Sequence, residues 1–217
     1  MRKFVMNAAY LAIFLAVIMT IVTCALCGSI LTWMKTPNQF YQGAYDYLFV
    51  IFLGIPFTFL YNVVAGIIRS LGDSKTPFYF LVLSAVMNIF LDMLFIIVFK
   101  LGTAGAGWAT ILSQAISGVL CFRYMKKKYD ILKTNHQERR LDMHYIKTLF
   151  TMAVPMGLQF SITAIGSILL QSAVNTLGAV YVSAFAAATK VKQLAMCPYD
   201  GFATASATFG SQNLGAG

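Results

Sequence analysis

Charge is what this sequence has least of. Of its 217 residues only 11% are charged, against 59% hydrophobic, and the mean hydropathy is +0.74. A soluble domain carries about 25% charged residues, so a water-solvated globule is excluded. The gaps between charges say more than their total. None occurs over residues 4–34, 47–68, 101–122 or 148–189. A bilayer core about 30 Å thick takes about 20 helical residues, so each gap is long enough to cross a membrane. Acids are scarcer than bases, 7 against 16, which leaves a net charge of +9. That excess suggests phosphate binding until its positions are read. Arg123, Lys126, Lys127, Lys128, Lys133, Arg139, Arg140 and Lys147 share one polar stretch between apolar blocks. Lys and Arg clustered beside spanning helices set membrane orientation, so no nucleic-acid partner is expected.

Other scarcities close off enzyme chemistry. There are four cysteines and two histidines. Cys24 and Cys27 have C-x-x-C spacing but lie in an apolar run with no second pair and no nearby His. Zinc or redox chemistry needs thiolates in a polar setting, so these read as small buried apolar residues. Cys121 and Cys197 stand alone, and His136 and His144 fall in the polar stretch. No nucleophile–base pair and no phosphate-binding glycine loop appears. Neither catalysis nor a cofactor is expected.

What remains is an all-α polytopic membrane protein of about six spanning segments, near 4–34, 45–70, 77–99, 104–124, 146–178 and 190–210. Turn chemistry separates them at Lys35-Thr36-Pro37-Asn38, at Leu71-Gly72-Asp73-Ser74-Lys75-Thr76-Pro77 and at Leu101-Gly102-Thr103. Met1-Arg2-Lys3 opens like a signal peptide, but the following run far exceeds an h-region of about 7–15 residues, so it is expected to stay as a helix. With the amino terminus inside, four of the 16 basic residues (Lys35, Lys100, Lys190 and Lys192) fall outside. That bias places the amino terminus in the cytoplasm. Residues 1–125 then hold four helices, 126–145 a basic cytoplasmic connector, and 146–217 two more helices. Pro56, Pro155 and Pro198 sit where they bend helices.

The residue with most to say is Asp92, seven residues from Phe99 and so about 10 Å inside its segment. A carboxylate there costs roughly 2.5–3.5 kcal/mol on insertion scales, and a buried one is suited to proton or cation exchange. Asn88, at i−4, shares its face and offers an amide to the carboxylate or an ion. The alternative is a structural hydrogen-bonded pair. In the next segment Gly102, Gly105 and Gly107 permit close helix packing, while Thr110, Ser113 and Gln114 either face a neighbour or satisfy their own backbone. The uncharged polar residues of the last two segments line either a wet cavity or a helix-packing seam; Gln159, Gln171 and Asn175, with Tyr61 from an earlier segment, are the candidate cavity residues. Asp200 is a second candidate intramembrane acid.

These residues carry a resemblance. Arg69-Ser70-Leu71-Gly72-Asp73-Ser74-Lys75-Thr76-Pro77, then Asn88 and Leu91-Asp92, then Ala104-Gly105-Ala106-Gly107-Trp108-Ala109-Thr110 resemble the multidrug and toxic compound extrusion (MATE) family. So do Val154-Pro155, Ser167 to Gln171, and the ending Gly210-Ser211-Gln212-Asn213-Leu214-Gly215-Ala216-Gly217. The resemblance implies a twelve-helix, two-lobe, V-shaped transporter fold, of which this chain looks like helices three to eight. It implies export of drug-like and organic-cation substrates across the cytoplasmic membrane in exchange for sodium ions or protons. It implies a cation site built from an acid on helix one, which has no counterpart here, together with Asn88, Asp92 and Thr110. Any metal bound would be sodium at Asp92 and Asn88, and the remaining helices of a full-length transporter are the implied partners. Two other readings stand beside it. One is a flippase for lipid-linked or polysaccharide precursors from the same superfamily, which usually needs mid-helix basic residues. The other is a membrane scaffold that transports nothing.

Overall fold

The computed structural model describes residues 2–33, 38–129 and 141–215, and every described element is helical. The elements are α1 (Arg2–Trp33), α2 (Asn38–Leu53), α3 (Ile55–Ser70), α4 (Lys75–Asp92) running into a π-helical turn (Met93–Val98), α5 (Gly102–Lys128), α6 (Met143–Asn175) and α7 (Ala179–Gly215). They form two units, Met1–Tyr145 and Ile146–Gly217. Among the described residues four helices are long and apolar enough to cross a membrane: Arg2–Trp33, Lys75–Val98, Gly102–Lys128 and Met143–Val174. Tyr41–Leu53 with Ile55–Ser70 makes a fifth if the bent pair is one span.

Large apolar side chains stay on the surface, among them Phe14, Ile89 and Phe90, each at least 60% exposed. For a chain whose solvent is lipid, that is the ordinary arrangement, and polar atoms must then be satisfied within the protein. In α1 the hydroxyls of Thr20, Thr23 and Thr32 donate to the carbonyls of Ala16, Met19 and Gly28, one turn earlier. Cys27 is buried, with its Sγ 4.0 Å from the Tyr45 carbonyl oxygen, and all four cysteines are free thiols.

The first unit is organised around α5, which packs against α2, α3 and α4. Its sequence explains why. Gly105, Ala109, Ser113, Ser117, Cys121 and Met125 recur every fourth residue and are all buried. A stripe of small side chains lets neighbouring backbones close in where no hydrophobic drive separates helix from lipid. A Cβ at Gly107 would lie 3.0 Å from Val50 of α2, and one at Gly105 would lie 3.2 Å from the Phe95 backbone in the π-helical turn. At the far end Val64 and Ile68 of α3 meet Cys121 and Met125 in a small core, with Phe80, Phe122 and Tyr129 against it.

The α2–α3 break bends the chain by 44° at Gly54. Pro56 follows in the first turn of α3 and has no N–H to carry the helical ladder across. The α3–α4 turn uses Gly72 at φ +88, a left-handed value that glycine adopts at little cost. Asp73 then accepts from the Thr76 N–H at 3.0 Å and the Thr76 hydroxyl at 2.7 Å.

In the second unit two boundaries differ from the sequence expectation. Helix α6 starts at Met143 and ends at Asn175, and Gly178, expected inside the segment, lies in the following turn at φ +103. Helix α7 starts at Ala179, so Lys190 and Lys192, expected at the outer start of their segment, lie well within it. The alanine-rich stretch before Lys190 favours helix whatever its surroundings. With two lysines and Asp200 along it, α7 is not among the helices apolar enough to span alone. Pro155 and Pro198 sit inside unbroken helices. Of the expected connector, residues 130–140, and His136 with them, lie outside the described residues; His144 is exposed at the start of α6.

Candidate functional site

Asp92 closes α4, and the π-helical turn begins at the next residue. Single π turns inside α-helices recur at functional positions because the extra residue in the turn re-aims the side chains beside it. The Asp92 carboxylate is half-buried, and its Oδ1 is shut off from solvent with no hydrogen-bond partner. A buried oxygen of that kind carries a full desolvation penalty, so something must account for it.

One turn earlier on the same face, the Asn88 Nδ2 donates to the Thr110 Oγ1 across the α4–α5 contact, at 3.4 Å. The Thr110 hydroxyl gives its own proton to the Ala106 carbonyl at 2.9 Å, which turns its lone pairs outward. Asn88 and Thr110, which the family resemblance implies share a site, are thus adjacent, and Asp92 lies four residues beyond Asn88. The close approach at Gly105 lets α5 and the π turn come together here. The donor set is hard and oxygen-rich: a carboxylate, an amide and a hydroxyl. It suits a proton or a small alkali cation and not a soft metal. Among the described residues no group of three His, Cys, Asp or Glu side chains could hold a metal ion.

The other polar residues of α5 are spent on packing. Ser113 donates to the Thr110 carbonyl at 2.9 Å, Gln114 accepts from Thr58 of α3, and Ser117 donates to the Phe80 carbonyl of α4 at 2.6 Å. Tyr61 is half-buried, its hydroxyl donating to the Pro77 carbonyl at 2.9 Å. Gln159 is exposed on α6 and Gln171 half-buried on the same helix. The side chain of Asn175 lies outside the described residues. Asp200 is exposed on α7, one turn before Thr204, whose hydroxyl donates to its carbonyl.

Sequence reasoning gave no role to Asp73, although its turn was noted. Besides Thr76, it accepts from Lys128 Nζ at 3.1 Å and from the Tyr129 hydroxyl at 2.8 Å. The backbone N–H of Thr76, with these side chains, holds the Asp73 carboxyl well below the usual carboxylate range. The Asp-Ser-Lys-Thr spacing, an acid three residues before Thr at a helix start, was the available signal. A second tie joins α1 to the start of α6: fully buried Asn7 accepts from the Asp142 N–H at 2.9 Å, and Phe4 meets Tyr145 edge-on.

Comparison with known proteins adds to this geometry. A model of the MatE family matches residues 1–94. The chain is 35% identical over 188 residues to a probable multidrug resistance protein, YpnP, of Bacillus subtilis, covering 87% of this chain and 42% of that one. It is 30% identical to a second from the same organism, YoeA, covering 93% and 45%. Among solved structures it is similar to a multidrug resistance MATE family transporter of the MOP superfamily in an outward-facing conformation. That match has a TM-score of 0.87 and 25% identity, covering 95% of this chain and 46% of the other. The chain spans less than half the length of these relatives.

Proposed function

The chain belongs to the MATE family, and from that premise we propose that it carries the ion-coupling site of a multidrug exporter. The reaction is antiport, with a cation moving in as an organic, often cationic, compound moves out across the cytoplasmic membrane. In this reading 1–125 are helices of the amino-terminal lobe, 126–145 the inter-lobe connector, and 146–217 the first helices of the carboxy-terminal lobe. The amino terminus faces the cytoplasm. Supporting that orientation, Arg69, Lys75, Arg123, Lys126, Lys127 and Lys128 gather at one end of the first unit with the start of α1.

The observation that carries the proposal is the shielded, unpartnered Oδ1 of Asp92 beside the Asn88–Thr110 bridge. Ionised, Asp92 holds a charge that the surrounding helices do not match. A proton cancels that charge, and a sodium ion matches it while drawing on the amide oxygen of Asn88 and the hydroxyl of Thr110. Either event changes which arrangement of α4, the π turn and α5 is favoured. A ligand shifts a conformational equilibrium only by its differential affinity for the two states. Ion and drug therefore oppose each other if each prefers a different state. Gln159, Gln171, Asn175 and Tyr61 are proposed to line the substrate path.

The test is efflux of ethidium from vesicles carrying the intact transporter, driven in turn by a sodium and a proton gradient. Asp92→Asn is expected to abolish the gradient-driven component, and unchanged efflux would refute the site. Thr110→Ala separates the ions: a sodium-coupled protein loses apparent sodium affinity, whereas a proton-coupled one keeps its pH dependence. A second reading, flipping of an anionic lipid-linked precursor, draws on Lys190 and Lys192 within α7. Under that reading Lys190→Gln with Lys192→Gln stops precursor flipping while Asp92→Asn does not.

A further inference from the structure

A cleft of about 700 Å³ lies along α3, walled by the first half of α1 on one side and the end of α5 on the other. It shares no residue with the Asp92 site. Its floor runs from Pro56 to Ile67. The eleven helical rises from Pro56 to Ile67 cover about 17 Å, close to the ~15 Å depth of one leaflet of the hydrocarbon core. The lining is apolar along this length, and small residues such as Ala9 and Ala12 widen it on the α1 side. Apart from Tyr10 in the α1 wall, its polar residues are Lys126 and Tyr129, which form the mouth at the end of α5. Arg2 and Lys3 lie in the first turn of α1, just before the lining residue Val5.

We infer that this cleft binds one acyl chain of an anionic phospholipid, its phosphate held at the mouth by Lys126. Charge complementarity selects the occupant. Among the described acids, Asp73 is already engaged by Thr76, Lys128 and Tyr129. Asp142 is not in the lining, and its carboxylate accepts the His144 N–H. Lys126 is exposed, its ammonium 5.1 Å from the Phe122 ring centre. A long apolar slot ending in a lysine at headgroup depth matches a lipid and not a soluble anion. Basic pockets between helices at the membrane face are recognised lipid sites. The inference stands whether or not the protein exports drugs.

The test is native mass spectrometry of the delipidated 217-residue chain, offered dioleoyl-phosphatidylglycerol or dioleoyl-phosphatidylcholine. Wild type is expected to retain phosphatidylglycerol over phosphatidylcholine. Lys126→Gln should lower phosphatidylglycerol retention about fivefold, the ~1 kcal/mol that one lysine contributes near an anionic surface. Lys127→Gln, one residue away and not part of the lining, should leave retention unchanged. Ala9→Phe and, from the floor, Val63→Phe should lower retention of both lipids, with helicity by circular dichroism confirming that each variant folds. No headgroup preference in wild type overturns the proposal. So does an equal loss in Lys126→Gln and Lys127→Gln, or full retention in both filled variants. A dimer without retained lipid would give the cleft to a second copy and overturn it too.

Discussion

A single methyl group at Gly54 should separate α3 from α5. A Cβ there would sit 2.4 Å from the Ile111 Cγ1, 2.9 Å from its Cδ1 and 3.1 Å from the Ile51 carbonyl oxygen. Carbon atoms pack at about 3.5–4.0 Å, so the first contact is more than 1 Å too close. Ile111 is 6% exposed and branched at Cβ, which leaves it little freedom to turn away. The 44° bend at this point also fixes where the α3 backbone can go. Overpacking of this kind costs about 1–3 kcal/mol, and Gly54→Ala is expected in that range. Reversible unfolding in mixed micelles, titrated with dodecyl sulfate, reads it. Ile111→Ala alone should also destabilise, through the cavity it leaves, but it removes both clashing carbons. The double variant should then be more stable than the two single costs predict, by about the overpacking term. Gly54→Ala without effect, or strict additivity in the cycle, would refute the argument that Gly54 is there for closeness to α5.

Ser117→Ala removes the 2.6 Å bond from α5 to the Phe80 carbonyl and should cost about 0.5–1.5 kcal/mol in the same titration. Asn7→Ala leaves the Asp142 N–H without its acceptor; hydrogen exchange should quicken at residues 142–145 before any global loss of stability. The Asp73 carboxyl is depressed in the folded state, so its contribution is present above the unfolded value of about 3.9 and is lost as pH falls below it. Wild type should therefore lose stability between neutral pH and about pH 3 more steeply than Asp73→Asn, which carries no titrating group there. Parallel curves for the two proteins would remove Asp73 as the acid-sensitive tie.

What the sequence made legible divides by the range of the interaction. Asn88 and Asp92 are four apart on one helix, and that spacing alone puts them on one face. The glycines at the start of α5 announced close packing, and Gly105 and Gly107 indeed lie against the π turn and α2. Cys27, read as a small apolar residue, is buried in α1. Where reasoning used charge to mark a helix end, it failed. Lys190 and Lys192 were taken as the boundary of a segment, yet alanines carry the helix back to Ala179, because a lysine ends an apolar run without ending a helix. The π turn had no sequence signal at all. It follows from how Met93–Val98 meets Gly105 and the turn at Leu101, where the Leu101 N–H donates to the Phe95 carbonyl at 3.0 Å.

That turn ties the site to the packing around it. Asp92 sits at the junction where helical spacing changes, and Asn88 sits a full turn inside the regular part. If the π turn lost one residue, the segment beyond it would rotate by about 100° relative to α4, while Asn88, Asp92 and Thr110 kept their places. The close approach of the π turn to Gly105, next to Asp92 in the chain, would then be remade, and the surroundings of the shielded oxygen with it. Deleting one residue from Met93–Val98 should shorten the π turn toward α-helix and leave the upstream Asn88–Thr110 bridge in place. On the proposed coupling, the intact transporter with this deletion should stay helical and folded while its ethidium efflux no longer responds to the ion gradient. Gradient-driven efflux at the wild-type level in that deletion would show that the π turn plays no part in coupling, and that Asp92 acts independently of the helix geometry behind it.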